Sequence, residues 1–130
     1  MAGSHTIGFS RCTSFRGRIY NDSNIDSAFV KSLQRICPRS GNDSLLAPLD
    51  LRTPTFFDNS YYRNLLNKKG LLHSDQEFFN GSSADLLVKT YARNPFTFFN
   101  DFAKAMVKMS SIRPVTGNRG EIRKNCRQAN

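Results

Sequence analysis

Apolar residues recur at helical spacing in several separate stretches of this chain, with polar and turn-forming residues between them. Over residues 26–36, Ala28, Phe29, Leu33 and Ile36 share one face, Asp26 stands at the head, and Pro38 with Gly41 stops the pattern. The spacing predicts a helix there. Asp58 heads a second helix running to Lys69, with Tyr62, Leu65 and Leu66 inward and Gly70 as its end. Ser74 starts a short helical turn that carries Asp75 to Phe79, and Ser82 or Ser83 caps a further helix reaching Arg93, with Leu86, Leu87 and Tyr91 as its apolar face. Asn94-Pro95, a capping residue followed by proline at the first helical position, opens the strongest helix of all. Phe98, Phe99, Phe102, Ala103, Met106 and Met109 give it a broad apolar face, expected in the core, with Lys104 and Lys108 outside.

The remaining stretches carry no usable period. Between residues 9 and 23, Arg11, Arg16 and Arg18 interleave with Phe9, Phe15, Ile19 and Tyr20. Residues 42–57 read as irregular structure around Pro48 and Pro54, and after Ile112 the tail is polar and turn-rich around Pro114 and Thr116-Gly117-Asn118-Arg119-Gly120. No strand pattern and no internal repeat emerges. The expected class is all-α, helices joined by long ordered loops, with residues 1–130 as one domain or part of one.

Charge changes this picture only modestly. Nineteen Lys and Arg against ten Asp and Glu give a formal charge of +9, which favours polyanions such as acidic polysaccharide, nucleic acid or an acidic membrane. The basic residues form no dense block, so a solvated surface is the first reading. The aromatics among them compose no nucleic-acid module, so no specific nucleic-acid partner is expected. No long apolar run argues for a membrane span, and Met1 leads straight into small and polar residues rather than a signal peptide.

Cys12, Cys37 and Cys126 lack metal-type spacing, and three cysteines in an oxidising compartment would leave one pair and one orphan. A Cys12–Cys37 pair would staple the 26–36 helix back to the segment after His5, contributing roughly 3 kcal/mol in the chain-entropy view. Asn21, Asn42 and Asn80 each open an Asn-X-Ser triplet in a polar stretch, where glycosylation is feasible.

Candidate chemistry begins at Ala2-Gly3-Ser4-His5-Thr6. A histidine framed by small residues can bring its ring close to a flat ligand or a metal. The loop Asp50-Leu51-Arg52-Thr53-Pro54-Thr55-Phe56-Phe57-Asp58 is rich in oxygens of the kind calcium takes, although its spacing is not that of the twelve-residue helix-loop-helix motif. On spacing alone it is a polar loop whose last aspartate caps a helix. Asp75 is either a helix cap or a carboxylate that accepts the ring N–H of a metal-bound histidine. His73 could serve as a second ligand, but its first reading is a partly exposed loop histidine. No Ser-His-Asp, paired-carboxylate or glycine-rich phosphate signature stands out.

Taken in order, His5-Thr6-Ile7-Gly8, Arg18-Ile19-Tyr20-Asn21, Asn24-Ile25-Asp26, Leu46-Ala47-Pro48-Leu49-Asp50, Thr53-Pro54, Phe57-Asp58-Asn59 and Tyr61-Tyr62 are similar to blocks of a known family. So are Lys69-Gly70-Leu71-Leu72, Ser74-Asp75-Gln76, Asp101-Phe102-Ala103, Ala105-Met106, Thr116-Gly117, Gly120-Glu121-Ile122-Arg123 and Asn125-Cys126-Arg127. The chain resembles, end to end, the carboxy-terminal part of class III secretory plant haem peroxidases. The resemblance implies the proximal half of the plant haem peroxidase fold. It makes His5 the axial ligand of the iron of one haem b, and Asp75 its hydrogen-bond partner. Thr6, Asp50, Thr53, Phe56 (through its carbonyl) and Asp58 would hold the proximal calcium ion. Cys12 and Cys37 match a family disulfide, whereas the partner of the cysteine matching Cys126 lies upstream.

The implied activity is oxidation of phenolic donors by hydrogen peroxide, in a monomer secreted to the cell wall or vacuole, with acidic cell-wall polysaccharide as a further partner. The resemblance leaves the distal histidine and arginine, the distal calcium site and half the haem pocket unmatched, with Met1 falling inside a helix just before the proximal histidine. The alternative expectation is therefore a non-catalytic piece that retains only the proximal haem- and calcium-binding elements.

Overall fold

The computed structural model describes residues 2–115 and 117–130; Met1 and Thr116, the latter opening the turn predicted at 116–120, lie outside the described residues, as does the side chain of Asn118. A 3-10 helix, Ala2–Thr6, leads into β1 (Phe9–Arg11), α1 (Cys12–Asn21), α2 (Ser27–Ile36), β2 (Leu46–Pro48), α3 (Ser60–Leu66), α4 (His73–Gln76), α5 (Asp85–Arg93), α6 (Pro95–Ser110) and a 3-10 turn at Gly117–Arg119. The protein is mainly helical, as the sequence predicts.

The strands correct the reading that none is present. They run antiparallel, with Phe9 opposite Pro48, Ser10 opposite Ala47 and Arg11 opposite Leu46. Three residues per strand are too few for alternation to show against the background of the chain. Gly8 turns the chain into β1 at φ +107°, a conformation that side-chain-bearing residues avoid. Its N–H donates to the Pro54 carbonyl at 2.8 Å and its carbonyl accepts from the Leu49 N–H at 3.0 Å. The segment after His5 is thereby stitched to the loop that follows β2.

α1 forms where interleaved arginines hid the stripe. Cys12, Phe15 and Ile19 bury one face, and Arg18 goes in with them. The Arg18 guanidinium donates to the Gly70 carbonyl at 2.9 Å, the Asp22 carboxylate at 2.9 Å and the Asn24 carbonyl at 3.0 Å, which offsets the cost of burying its charge. α2 begins as predicted, with the Asp26 carboxylate accepting from the Phe29 N–H at 2.8 Å. Its Phe29 and Leu33 join Phe15, Ile19, Ala47, Leu49 and Leu71 in one core. The Cys12–Cys37 disulfide lies in that core with neither residue exposed, and Cys126 is free and exposed.

α3 is shorter than the predicted 58–69. Asp58 stands two residues ahead of it and accepts from the Ser60 N–H at 2.7 Å. The chain leaves the helix through Lys68 at φ +55° rather than through Gly70. Gly70 instead serves close packing, since a Cβ there would lie 2.9 Å from the Leu65 side chain. In α5 the buried residues are Val88 and Ala92; of the expected face, Tyr91 is half-buried, whereas Leu86 and Leu87 are exposed. The smaller pair lets α5 lie close against α3, where Tyr62 meets the rings of Tyr91 at 5.1 Å and Phe98 at 5.0 Å.

Asn94 caps α6 as predicted, its side-chain oxygen accepting from the Thr97 N–H at 3.1 Å. The stripe expected in the core is not buried as a whole: Phe98 is, Phe99 and Phe102 are half-buried, and Ala103, Met106 and Met109 are exposed. A stripe states what a helix can bury, not what the chain supplies to cover it. The chain packs as two units, residues 1–99 and 100–130. The second holds a Glu121–Arg123 ion pair at 3.0 Å and an isolated bridge between Asn125 and Gln128. Among the described residues no helix is long and apolar enough to cross a membrane.

Candidate functional site

Three elements converge on His5. The 3-10 helix carries the ring, α4 carries Asp75, and the first turn of α3 carries Tyr61. Asp75 is buried, and its Oδ1 lies 2.8 Å from Nδ1 of His5. An ionised carboxylate only accepts, so Nδ1 bears the hydrogen and the neutral ring keeps its lone pair on Nε2. The hydrogen bond to Asp75, partly opposed by burial, raises the pKa of His5 above its ordinary value. The ring is about one-third exposed (34%), and its backbone neighbours Ala2, Gly3 and Ser4 put no bulky side chain before it.

Tyr61 is the member of the site that periodicity does not single out. Fully buried, it donates its hydroxyl to the same Asp75 Oδ1 at 3.0 Å, and its ring meets that of His5 edge-on at 6.4 Å. Burial first, and then the adjacent carboxylate, hold the Tyr61 phenol far above its ordinary pKa, so it stays a donor. Asp75 Oδ2 has no donor among the described residues. The available signal was the buried face of α3, where Tyr61, Asn64 and Leu65 lie at i, i+3 and i+4. The Tyr61-Tyr62 doublet obscured it.

The rest of the scaffold fixes α4. Gln76, also fully buried, donates to the carbonyls of Leu65 at 3.0 Å and Phe79 at 3.1 Å and accepts from the Gly70 N–H at 3.2 Å. Thr6, the residue after His5, is buried and donates its hydroxyl to the Asp58 carbonyl at 2.6 Å. That bond joins the histidine segment to the 50–58 loop. At the other end of the loop, buried Asp50 accepts from the N–H groups of Arg52 at 2.8 Å and Thr53 at 3.3 Å, from the Thr53 hydroxyl at 3.3 Å and from Asn64 Nδ2 at 2.9 Å. All four donors are neutral. Of the five residues implied as calcium ligands, Thr6 joins Asp58 and Thr53 joins Asp50 by direct bonds, while the Phe56 ring faces solvent and its N–H donates to the Thr53 carbonyl at 3.1 Å.

A family model described as Peroxidase matches residues 1–94. The chain belongs to the peroxidase family. Over 132 residues it is 59% identical to Peroxidase 4 of Vitis vinifera, a match covering 100% of this chain and 41% of that relative. Peroxidase RIP1 of Medicago truncatula is 55% identical over 98% of this chain and 40% of its own length. A peroxidase of Lupinus polyphyllus is 58% identical over 100% of this chain and 83% of its own length. The chain thus spans about two-fifths of the first two peroxidases.

His73 takes a partner of its own in this peroxidase chain. Exposed at the start of α4, it lies 2.6 Å through Nδ1 from the Asp22 carboxylate that Arg18 also contacts. The bond to Asp22 raises the His73 pKa; burial would raise that of Asp22, but the bonds from His73 and Arg18 outweigh it and lower it. The His73 share of the stabilisation is complete below its ordinary value and is lost as pH rises through the raised one. The Asp22 share is complete above its ordinary value and is lost as pH falls through the lowered one. The bridge therefore acts in full between about pH 4 and about pH 6.5. In an NMR titration, Asp22→Asn is expected to bring the His73 midpoint back toward the ordinary histidine value. A midpoint identical in both proteins would show that the pair is not formed in solution.

Proposed function

We propose that this chain forms the iron-holding part of a haem peroxidase that uses hydrogen peroxide to oxidise small phenolic donors. The observation that carries the reading is the 2.8 Å bond from His5 Nδ1 to buried Asp75, on a ring one-third exposed and framed by small residues. Nε2 has no partner among the described residues and suits an axial bond to iron, and Asp75, by holding the Nδ1 hydrogen, both orients the ring and strengthens it as a donor. Bound haem supplies the two-electron reduction of peroxide. The acid–base residues that the resemblance implies for peroxide match none of these residues, so His5 and Asp75 account for the holding and electron-donating half of the task.

The same reading gives Asp50, Thr53, Thr6, Asp58 and the Phe56 carbonyl to a calcium ion. Its support is a buried carboxylate, Asp50, whose partners are all neutral, and a set of oxygens of the hard type calcium selects. Because Thr6 adjoins His5, the ion would steady the histidine through one peptide bond. An oxidising destination, the extracellular cell wall or the vacuole, is supported by the Cys12–Cys37 disulfide and by the exposure of Asn21, Asn42 and Asn80. A charge of +9 suits acidic wall polysaccharide.

The test is titration of the purified chain with haem. The wild type is expected to develop a Soret band and, once reduced, an iron–histidine stretching band, and His5→Ala is expected to lose the iron–histidine band. An iron–histidine band retained in His5→Ala would overturn the assignment of His5.

A further inference from the structure

We propose that Tyr61 is a positioning residue that sets how strongly Asp75 draws on the Nδ1 hydrogen of His5, and so how strongly His5 donates to a bound haem iron. The inference rests on the reading of His5 as axial ligand. Two donors share one oxygen: Nδ1 of His5 at 2.8 Å and the Tyr61 hydroxyl at 3.0 Å both reach Asp75 Oδ1. Each donor bond withdraws charge from the acceptor, so the tyrosine weakens the pull that Asp75 exerts on the imidazole. Inside a dry site this competition is stronger than it would be in water.

The choice of oxygen separates this role from simple packing. A buried hydroxyl needs an acceptor, and a buried carboxylate needs donors. Both needs would be met by a bond to Oδ2, which has no donor among the described residues. Tyr61 bonds instead to the oxygen already engaged by His5. The hydroxyl is held there firmly, because its ring is fully buried and packs edge-on against Tyr62 at 5.1 Å and His5 at 6.4 Å. Phenylalanine would fill the same volume, so the hydroxyl alone supplies the effect.

Tyr61→Phe in the haem-loaded chain tests it. The freed carboxylate takes more of the Nδ1 hydrogen, so the iron–histidine stretching band of the ferrous protein is expected to move to higher frequency. The ratio of reduced to oxidised haem at fixed potential is expected to fall about fivefold, the equilibrium effect of one net hydrogen bond. Asp75→Asn is expected to move both readings the opposite way, and Tyr62→Phe, which removes a neighbouring hydroxyl from the same aromatic cluster, to move neither.

Should Tyr61→Phe lose haem or fold poorly, Tyr61→3-fluorotyrosine keeps the ring and makes the hydroxyl a stronger donor. It is then expected to lower the band frequency and, in the haem-free chain, to shift the His5 Nδ1–H proton resonance upfield. A wild-type protein with no iron–histidine band refutes the axial reading and this inference with it. A wild-type band that neither Tyr61 variant moves refutes this inference and leaves the axial reading standing.

Discussion

Asp50→Ala is expected to cost the folded chain about 3 kcal/mol, from the cavity left behind and the buried donors left unpaired. In urea that loss reads as a midpoint lower by roughly 1–3 M. Asp50 has no exposed surface, and it organises its loop by accepting from Arg52, Thr53 and Asn64 at once. Asn64 is itself 4% exposed, so its amide finds no water when the carboxylate goes. Asp50→Asn separates the hydrogen bonds from the charge. Its carbonyl oxygen still serves Arg52 and Asn64, and its amide can donate to the Thr53 hydroxyl, so in EGTA it is expected to stay within about 1 kcal/mol of wild type. Calcium at a thousand times its dissociation constant should then stabilise wild type by about 4 kcal/mol and leave Asp50→Asn nearly unchanged. An equal response of both proteins to calcium would remove the 50–58 loop from the proposed site.

What could be read from the sequence divides along the range of the interactions involved. Asp26 and Asn94 were legible as helix starts because a cap is a bond between a side chain and an amide three residues on. The shape of α1 was not, because Arg18 looks like a surface charge until the Gly70 carbonyl, distant in sequence, is brought to it. α5 defeated its pattern for a related reason: Leu86 and Leu87 are the more hydrophobic choice, yet close approach to α3 is made by Val88 and Ala92. At the site, His5, Asp75, Asp50 and Asp58 stood out by residue type and by the resemblance of their blocks. That Nδ1 of His5 meets Asp75, seventy positions away, is a product of tertiary structure which spacing cannot supply. Tyr61 and Gln76 stood in matching blocks without a role, since their roles consist of bonds to a buried carboxylate and to carbonyls that lie close only once α3 and α4 pack.

Removing the disulfide by Cys12→Ala with Cys37→Ala is expected to lower stability by about 3–4 kcal/mol, the loop-closure effect for a sequence separation of 25. The closed loop contains α1 and α2, whose Phe15, Ile19, Phe29 and Leu33 contribute to the apolar core shared with Ala47, Leu49 and Leu71. The loss therefore falls on global unfolding, and on the urea midpoint that reports it. Its effect on the histidine should be small, for reasons on the other side of the molecule's covalent map. His5 and Asp75 both lie outside residues 12–37, and their geometry is held by the Thr6–Asp58 bond and by Gln76. Backbone bonds that do not involve sulfur, from Cys12 N–H to the Leu45 carbonyl and from Cys37 N–H to the Leu33 carbonyl, also survive the substitution. Under native conditions the His5 Nδ1–H proton resonance of the double variant is accordingly expected to match that of wild type, although the urea midpoint falls. An unchanged midpoint would show that the staple contributes nothing to the fold. Loss of the proton resonance in a folded variant would show instead that the histidine pair depends on the α1–α2 core, and not on the loop and helix contacts that hold it here.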